Sequence, residues 1–245
     1  MRLAAQTYVF GDAVKDPVAF GRVLAQVREA GYDAAEVMEP LPELPVLLSD
    51  AGVAMAALHT VLPKLAQPAE VARFLASCNC ADVCSSGLMN WDERTADAYR
   101  AAAAALNEAG RALRGEGIHL HYHNHEFEFE KVEGNARGID ILLSGLDSAA
   151  VDLCLDMGWA HRAGCDAARF ARDHADRIGF VHVRDFRGDV STFLGDGDVP
   201  LDEHLAAARA LPLLRWCAIE QDPGCADPAD DMRRSLARVR RTGGA

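Results

Sequence analysis

The segment IHLHYHNHEFEFE, residues 118 to 130, places a histidine at every second position and then a glutamate at every second position. The members are His119, His121, His123, His125, Glu126, Glu128 and Glu130. Because alternate side chains of a β-strand share one face, a strand here would put the imidazoles on one side. Imidazoles and carboxylates bind metal ions and transfer protons near neutral pH. The segment is therefore a candidate for metal binding or acid–base chemistry.

The surrounding sequence alternates short apolar strands with longer amphipathic helices. Eight strands are expected, in 3–10, 33–39, 53–61, 81–87, 118–125, 150–158, 178–185 and 214–222. Strands that alternate with helices imply a parallel sheet with crossover connections. Eight such units predict an α/β protein with a single-domain (β/α)₈ TIM barrel over residues 1–245. The first strand–helix turn has no GxGxxG loop, which disfavours the rival fold, a doubly wound open sheet.

The late strands of this barrel end in polar residues, and active sites of such barrels lie at the C-terminal ends of their strands. Asp156 ends the sixth strand, His182 lies near the end of the seventh, and Glu220 ends the eighth. An unpaired charge after an apolar strand would be costly. Carboxylates combined with an imidazole suit Mn²⁺, Mg²⁺ or Co²⁺, and Zn²⁺ is compatible. The sequence predicts one divalent metal ion at the barrel mouth.

Five segments in order resemble the sugar phosphate isomerase/epimerase family: YHNHEFEF, LDMGWAHRAG, VHVRDFRG, LGDGDVPL and AIEQD. This xylose isomerase-like barrel group includes ketohexose 3-epimerases, inosose dehydratases and hydroxypyruvate isomerases. The resemblance spans most of the chain and implies a single metal ion held by four strand-end groups. Carried over to this sequence, the ligands are Glu128, Asp156, His182 and Glu220. Glu126, two residues earlier, is the alternative to Glu128.

The resemblance also implies an isomerase or epimerase that acts on a keto-sugar or related polyol at the carbon next to a carbonyl. The expected reaction is abstraction of the α-proton through an enediolate, which the metal ion stabilises. Two carboxylates, assigned to Glu128 and Glu220, would remove and return the proton. The residues expected to contact the substrate are His59, His123, His125, Trp159 and Arg184.

Three alternative functions remain at this point. A lyase of the same fold, either a keto-inositol dehydratase or an enzyme that cleaves 3-keto-glycosides, would begin with the same proton abstraction. A nuclease of the apurinic-site endonuclease type would use a histidine-rich zinc cluster, but the acidic charge and LDMGW speak against it. A degenerate sugar-binding barrel without turnover is the third.

Composition restricts partners and location. A net charge of −12 argues against nucleic acid and anionic membranes, both of which attract Lys and Arg. No apolar run approaches a membrane span, and no signal peptide is recognised. The seven cysteines are an odd number and are expected to be reduced, with Cys154 and Cys217 in the core. The chain is predicted to be cytoplasmic and to bind a small carbohydrate or cyclitol; a homo-oligomer is left open.

Overall fold

Eight parallel strands close into a barrel in the computed structural model, which describes residues 1–242. The strands are β1 (Leu3–Gln6), β2 (Ala34–Val37), β3 (Ala54–Val61), β4 (Asp82–Ser86), β5 (His119–His123), β6 (Val151–Asp156), β7 (Ile178–Val183) and β8 (Trp216–Ile219). Each strand pairs with the next in the chain, and β8 closes the barrel on β1. The predicted (β/α)₈ TIM barrel is confirmed, and every expected strand overlaps an observed one.

Helices surround the barrel. Within residues 1–242 they are α1 (Pro17–Glu29), α2 (Leu44–Ala51), α3 (Pro68–Ser77), α4 (Ala96–Gly115), α5 (Gly138–Gly145), α6 (Met157–Arg162), α7 (Ala167–Asp173), α8 (Leu201–Arg209) and α9 (Pro228–Arg241). Short 3₁₀ segments cover Thr7–Lys15, Leu62–Ala66 and Phe127–Phe129. Two hairpins pair Lys131–Glu133 with Ala136–Arg137 and Asp185–Arg187 with Val190–Thr192. Among residues 1–242, no helix combines the length and apolar character needed to cross a membrane.

The longest helix, α4, illustrates how the sequence sets its own boundaries. The Thr95 hydroxyl accepts a hydrogen bond from the backbone N–H of Ala98 and so caps the first turn. The buried face carries four alanines, Gly110, two leucines (Leu106 and Leu113) and Tyr99, and its small residues allow close packing against the barrel. The segment turns at Gly117, whose φ of 77° lies in the left-handed region that favours glycine.

Small side chains fill much of the barrel interior. One cluster of buried residues, separate from the core under the helices, is drawn from seven of the eight strands: Ala4, Ala34, Ala56, Ala57, Cys84, Cys154, Phe180, Trp216 and Ala218. The remaining strand, β5, contributes His121, whose Nε2 lies 2.9 Å from Asp82 Oδ1. Arg215 donates to the other oxygen of Asp82 at 3.1 Å. His121 is therefore held in a buried ion network.

The first expected strand is longer than the observed one. The pattern predicted a strand through residue 10, but β1 ends at Gln6. The side-chain oxygen of Gln6 accepts a hydrogen bond from the backbone N–H of Tyr8 and starts the 3₁₀ segment Thr7–Lys15. A side chain that caps the following turn thus overrides the apolar run.

Candidate metal centre

Four donor side chains meet at the barrel mouth. His123, Asp156, His182 and Glu220 each offer one ligand atom, and these atoms lie within 4.8 Å of one another. They come from β5, β6, β7 and the residue after β8, and all four are buried. Three of them were predicted as ligands. His123, which was predicted to contact substrate, completes the group.

The structure does not bring Glu128 into this group. Its two carboxylate oxygens accept hydrogen bonds from the Tyr122 hydroxyl and the backbone N–H of His125, both at 2.7 Å. Tyr122 belongs to the core between barrel and helices, because it alternates with the inward-facing His121 and His123. Burial raises the pKa of Glu128 from 4.5 to about 7.

The alternative ligand, Glu126, also lies apart from the four donors. Its side chain is 42% exposed, and Oε2 lies 3.3 Å from Nε of Arg162. The chain leaves β5 at His123 and turns into the 3₁₀ segment Phe127–Phe129, so the strand's alternation no longer determines which way these glutamates point.

Arg184 is the counter-ion of the acidic side chains. Its Nε donates to Asp156 at 2.8 Å, its Nη1 donates to Asp222 at 2.9 Å, and its Nη2 lies 2.5 Å from Glu220. The guanidinium is fully engaged by carboxylates, although Arg184 was predicted to contact substrate. Burial raises the pKa of Asp156 to about 6, against the opposing effect of Arg184. Burial would also raise the pKa of Glu220, but Arg184 and His182 hold it well below its usual value.

His182 lies between two carboxylates. Its Nδ1 is 2.5 Å from Glu220 Oε2, and its Nε2 is 2.7 Å from Glu36 Oε2, although the ring N–H is not aligned with that oxygen. Burial alone would lower the pKa of His182. The neighbouring Cys154, Glu36 and Glu220 outweigh this effect and raise the pKa well above its usual value.

Glu36 was not recognised from the sequence. Its second oxygen lies 2.9 Å from His59 Nδ1, and His59 Nε2 is 3.2 Å from the Ser86 hydroxyl. Burial would raise the pKa of Glu36, but His182 and His59 lower it to about 2. A single acid inside the apolar strand DAAEVM was the available signal, since such a charge needs a partner in the fold. His59, predicted to contact substrate, is buried against this carboxylate.

Aromatic side chains form one wall of the mouth. His125 stacks parallel to Phe127, with ring centroids 5.5 Å apart, and meets Trp91 edge-on at 5.2 Å. The predicted substrate residue Trp159 lies 6.1 Å from His125, and its backbone N–H donates to Asp156. Trp91, which is 37% exposed, had not been singled out in the sequence. Aromatic faces of this kind pack against the apolar faces of ligands.

The donor chemistry fits a divalent cation. Two carboxylates and two imidazoles carry two formal negative charges, which one divalent ion would neutralise. Arg184 currently supplies positive charge to both carboxylates. Two nitrogen donors suit Zn²⁺, Co²⁺ or Mn²⁺ better than Mg²⁺, which prefers oxygen.

Comparison with known proteins agrees with the fold. The chain is 27% identical over 253 aligned residues to an inosose dehydratase from Geobacillus kaustophilus, covering 84% of this chain and 82% of that protein. A sugar phosphate isomerase/epimerase from Parabacteroides distasonis superposes with a TM-score of 0.82 at 18% identity, covering 96% and 92% of the two chains. The IOLI protein, solved with a bound zinc atom, superposes with a TM-score of 0.72 at 14% identity, covering 99% and 98%.

The family comparison covers most of the barrel. Residues 24–242 match the family described as the xylose isomerase-like TIM barrel. This match contains the four clustered donors as well as Glu36 and Arg184. The chain therefore belongs to the xylose isomerase-like TIM barrel family.

Proposed function

We propose that the chain is a divalent-metal-dependent isomerase or epimerase of a keto-sugar or related polyol. The observation that carries this proposal is the group of four buried donors at the mouth of the barrel. His123, Asp156, His182 and Glu220 would hold the metal ion. His123 thereby takes the ligand role that the sequence had assigned to Glu128. A neighbour solved with zinc supports a metal ion here, and Mn²⁺ and Co²⁺ remain proposed alternatives.

A bound metal ion would polarise the substrate's carbonyl and adjacent hydroxyl, which acidifies the neighbouring C–H. Glu220 is the proposed base, because its carboxylate lies in the donor group beside the proposed metal ion; Arg184 and His182 hold its pKa well below its usual value, so it is ionised and free of a proton. The side chain is 7% exposed, so it reaches the mouth. For Glu128 we propose a supporting role instead of proton transfer, because it holds the loop of His125 and lies outside the group of four donors.

Solvent exchange tests the proposed base. The metal-loaded protein would be incubated in D₂O with a panel of ketoses, keto-inositols and 3-keto-glucosides, and deuterium next to the carbonyl would be followed by NMR. We expect exchange with at least one substrate and a loss of roughly 100-fold or more in Glu220→Gln. Glu126→Gln, a charge change in the exposed loop, is the matched control and should retain exchange. Normal exchange in Glu220→Gln would contradict the assignment.

Metal content tests the ligand set separately. His123→Ala should lose the metal ion after dialysis, while Glu128→Gln should retain about one equivalent, because Glu128 bonds to Tyr122 instead of the donor group. Elemental analysis of the two folded variants decides the question. Retention by His123→Ala together with loss in Glu128→Gln would restore Glu128 as the ligand.

A dehydratase is the second candidate, favoured by the inosose dehydratase to which the chain is similar. Elimination of water begins with the same removal of a proton next to a carbonyl, so the same donors and base serve both reactions. Mass analysis of products distinguishes them: an isomer has the mass of the substrate, whereas a dehydrated product has lost one water.

We further propose a cytoplasmic protein whose partner is a small carbohydrate or cyclitol. The net charge of −12 supports a neutral polar substrate over nucleic acid or an anionic membrane. A homo-oligomer remains a proposal for measurement by sedimentation.

A further inference from the structure

Two thiols lie in the barrel interior beside the proposed metal centre. Cys84 on β4 and Cys154 on β6 are fully buried. One ligand atom from each, together with one ring nitrogen of His182, lies within 4.8 Å of the others. Cys154 Sγ is also 3.7 Å from Nδ1 of His123. The proposed function leaves both thiols without a role.

We propose that Cys84, Cys154 and His182 form a second cation site, here called the lower site, which takes a thiophilic divalent ion such as Zn²⁺ or Cd²⁺. Two thiolates and an imidazole are ligands that structural zinc sites use. Sulfur atoms bound tetrahedrally at about 2.3 Å from zinc stand roughly 3.8 Å apart. The ligand atoms of Cys84, Cys154 and His182 lie within 4.8 Å of one another, which is consistent with this separation.

Charge balance favours binding in this buried place. Each thiol gives up its proton to solvent as its sulfur bonds to the cation, and the imidazole contributes a neutral lone pair. His182 must also release its second ring proton, so three protons leave as one divalent ion enters, and the two thiolates then offset the charge of the ion.

The lower site shares His182 with the proposed metal centre. A thiophilic ion that engages this imidazole withdraws one of the four donors from the centre above. The two sets of ligands would thus separate cations by softness, with nitrogen–oxygen coordination above and sulfur below. Binding in the lower site does not rest on the proposed function, since neither thiol contacts substrate in that proposal.

Cadmium absorbance tests the lower site. Partly exposed Cys78, Cys165 and Cys225 would first be replaced by serine in every sample, because they could bind Cd²⁺ themselves. Titration with Cd²⁺ should produce an ultraviolet sulfur-to-cadmium charge-transfer band that saturates at one equivalent. Cys84→Ala and Cys154→Ala should each lose most of the band. Cys217→Ala is the matched control, because Cys217 is equally buried but belongs to the core under the helices.

A band that persists unchanged in Cys84→Ala and Cys154→Ala, or that is absent from the parent protein, overturns the proposal. If either alanine variant fails to fold, ¹¹³Cd NMR of the unmodified cysteine pair decides instead, since the resonance of a two-sulfur site differs from that of a nitrogen–oxygen site. Glu220→Gln should keep the band even though it abolishes the proposed reaction. The band and the solvent exchange can therefore fail independently.

Discussion

The carboxylate of Glu36 lies 2.7 Å from the Nε2 atom of His182, and both side chains are completely buried. The two residues come from β2 and β7, so they meet across the barrel. A carboxylate behind a metal-binding imidazole fixes the orientation of the ring and raises its basicity. Since Nε2 faces Glu36, Nδ1 is the atom that His182 turns toward Glu220 and the donor group.

Replacing Glu36 should therefore weaken metal binding even though Glu36 is outside the donor group. We expect Glu36→Gln to lower the affinity about 10- to 100-fold, as is typical when the partner of a ligating histidine is lost. Competition with a chromophoric chelator measures this. Glu29→Gln, at the exposed end of α1, should leave the affinity unchanged. Equal affinities for the Glu36 and Glu29 variants would show that Glu36 does not orient His182.

Arg184 should stabilise the protein most when no metal ion is bound. Arg184→Met leaves Asp156 and Glu220 buried without this cation, which should destabilise the metal-free protein by about 3–5 kcal/mol. A divalent ion supplies charge at the same carboxylates, so the loss should be smaller in the metal-loaded protein. Denaturant unfolding with and without metal measures both values. Arg187→Met, at a largely exposed arginine, is the control, and an equal loss in both states would refute the prediction.

Metal affinity should increase with pH. The pKa of His182 lies well above its usual value, and burial raises that of Asp156 to about 6, so the metal-free centre carries protons near neutral pH. A metal ion must displace them. We expect the affinity to rise about tenfold per pH unit for each proton released. Calorimetry in buffers of different ionisation enthalpy counts those protons, and a pH-independent affinity between pH 6 and 8 would contradict the assignment.

Glu128 should make stability fall as pH rises toward neutrality. Its pKa is 4.5 ordinarily and about 7 in the fold, so the folded protein favours the protonated form. The stabilisation is present below pH 4.5 and is lost as pH rises through 7, a difference of about 3 kcal/mol. Glu128→Gln should lack this component. Subtracting its unfolding free energy from that of the wild type at pH 5 and 8 isolates the effect.

The exposed Glu126 provides the comparison for that experiment. Glu126→Gln should reproduce the wild-type pH dependence, because it leaves the buried Glu128 carboxyl and its contacts in place. The unfolding free energy of the wild type minus that of Glu128→Gln should change between pH 5 and 8. If this difference stays constant, the Glu128 carboxyl is ionised throughout this range.

The sequence predicted the position of a candidate side chain wherever that residue ends a regular strand. Asp156 and Glu220 follow apolar runs directly, so their strands determine where they lie. Glu128 comes five residues after the last residue of β5, beyond a turn whose direction depends on a hydrogen bond to Tyr122. Such a contact has no periodic signal. His123 follows the strand's alternation and lies beside Asp156, His182 and Glu220.

Residues inside strands were harder to assign for a different reason. The strand containing Glu36 was predicted. Its carboxylate meets its partner, His182, only when β2 and β7 face each other across the closed barrel. The short helix α6 also escaped recognition, because six residues are too few to display helical periodicity. Its start depends on Asp156, which accepts the backbone N–H of Trp159.

The two halves of the chain contribute different kinds of residue to the barrel mouth. All four donors come from the second half, from His123 onward, whereas Glu36 and His59, which buttress His182, come from the first. A half-barrel beginning at β5 would carry every donor and lack the carboxylate that orients one of them. The proposed metal binding at this mouth would thus require the closed barrel, in which the early strands supply Glu36 and His59 and the late strands supply the four donors.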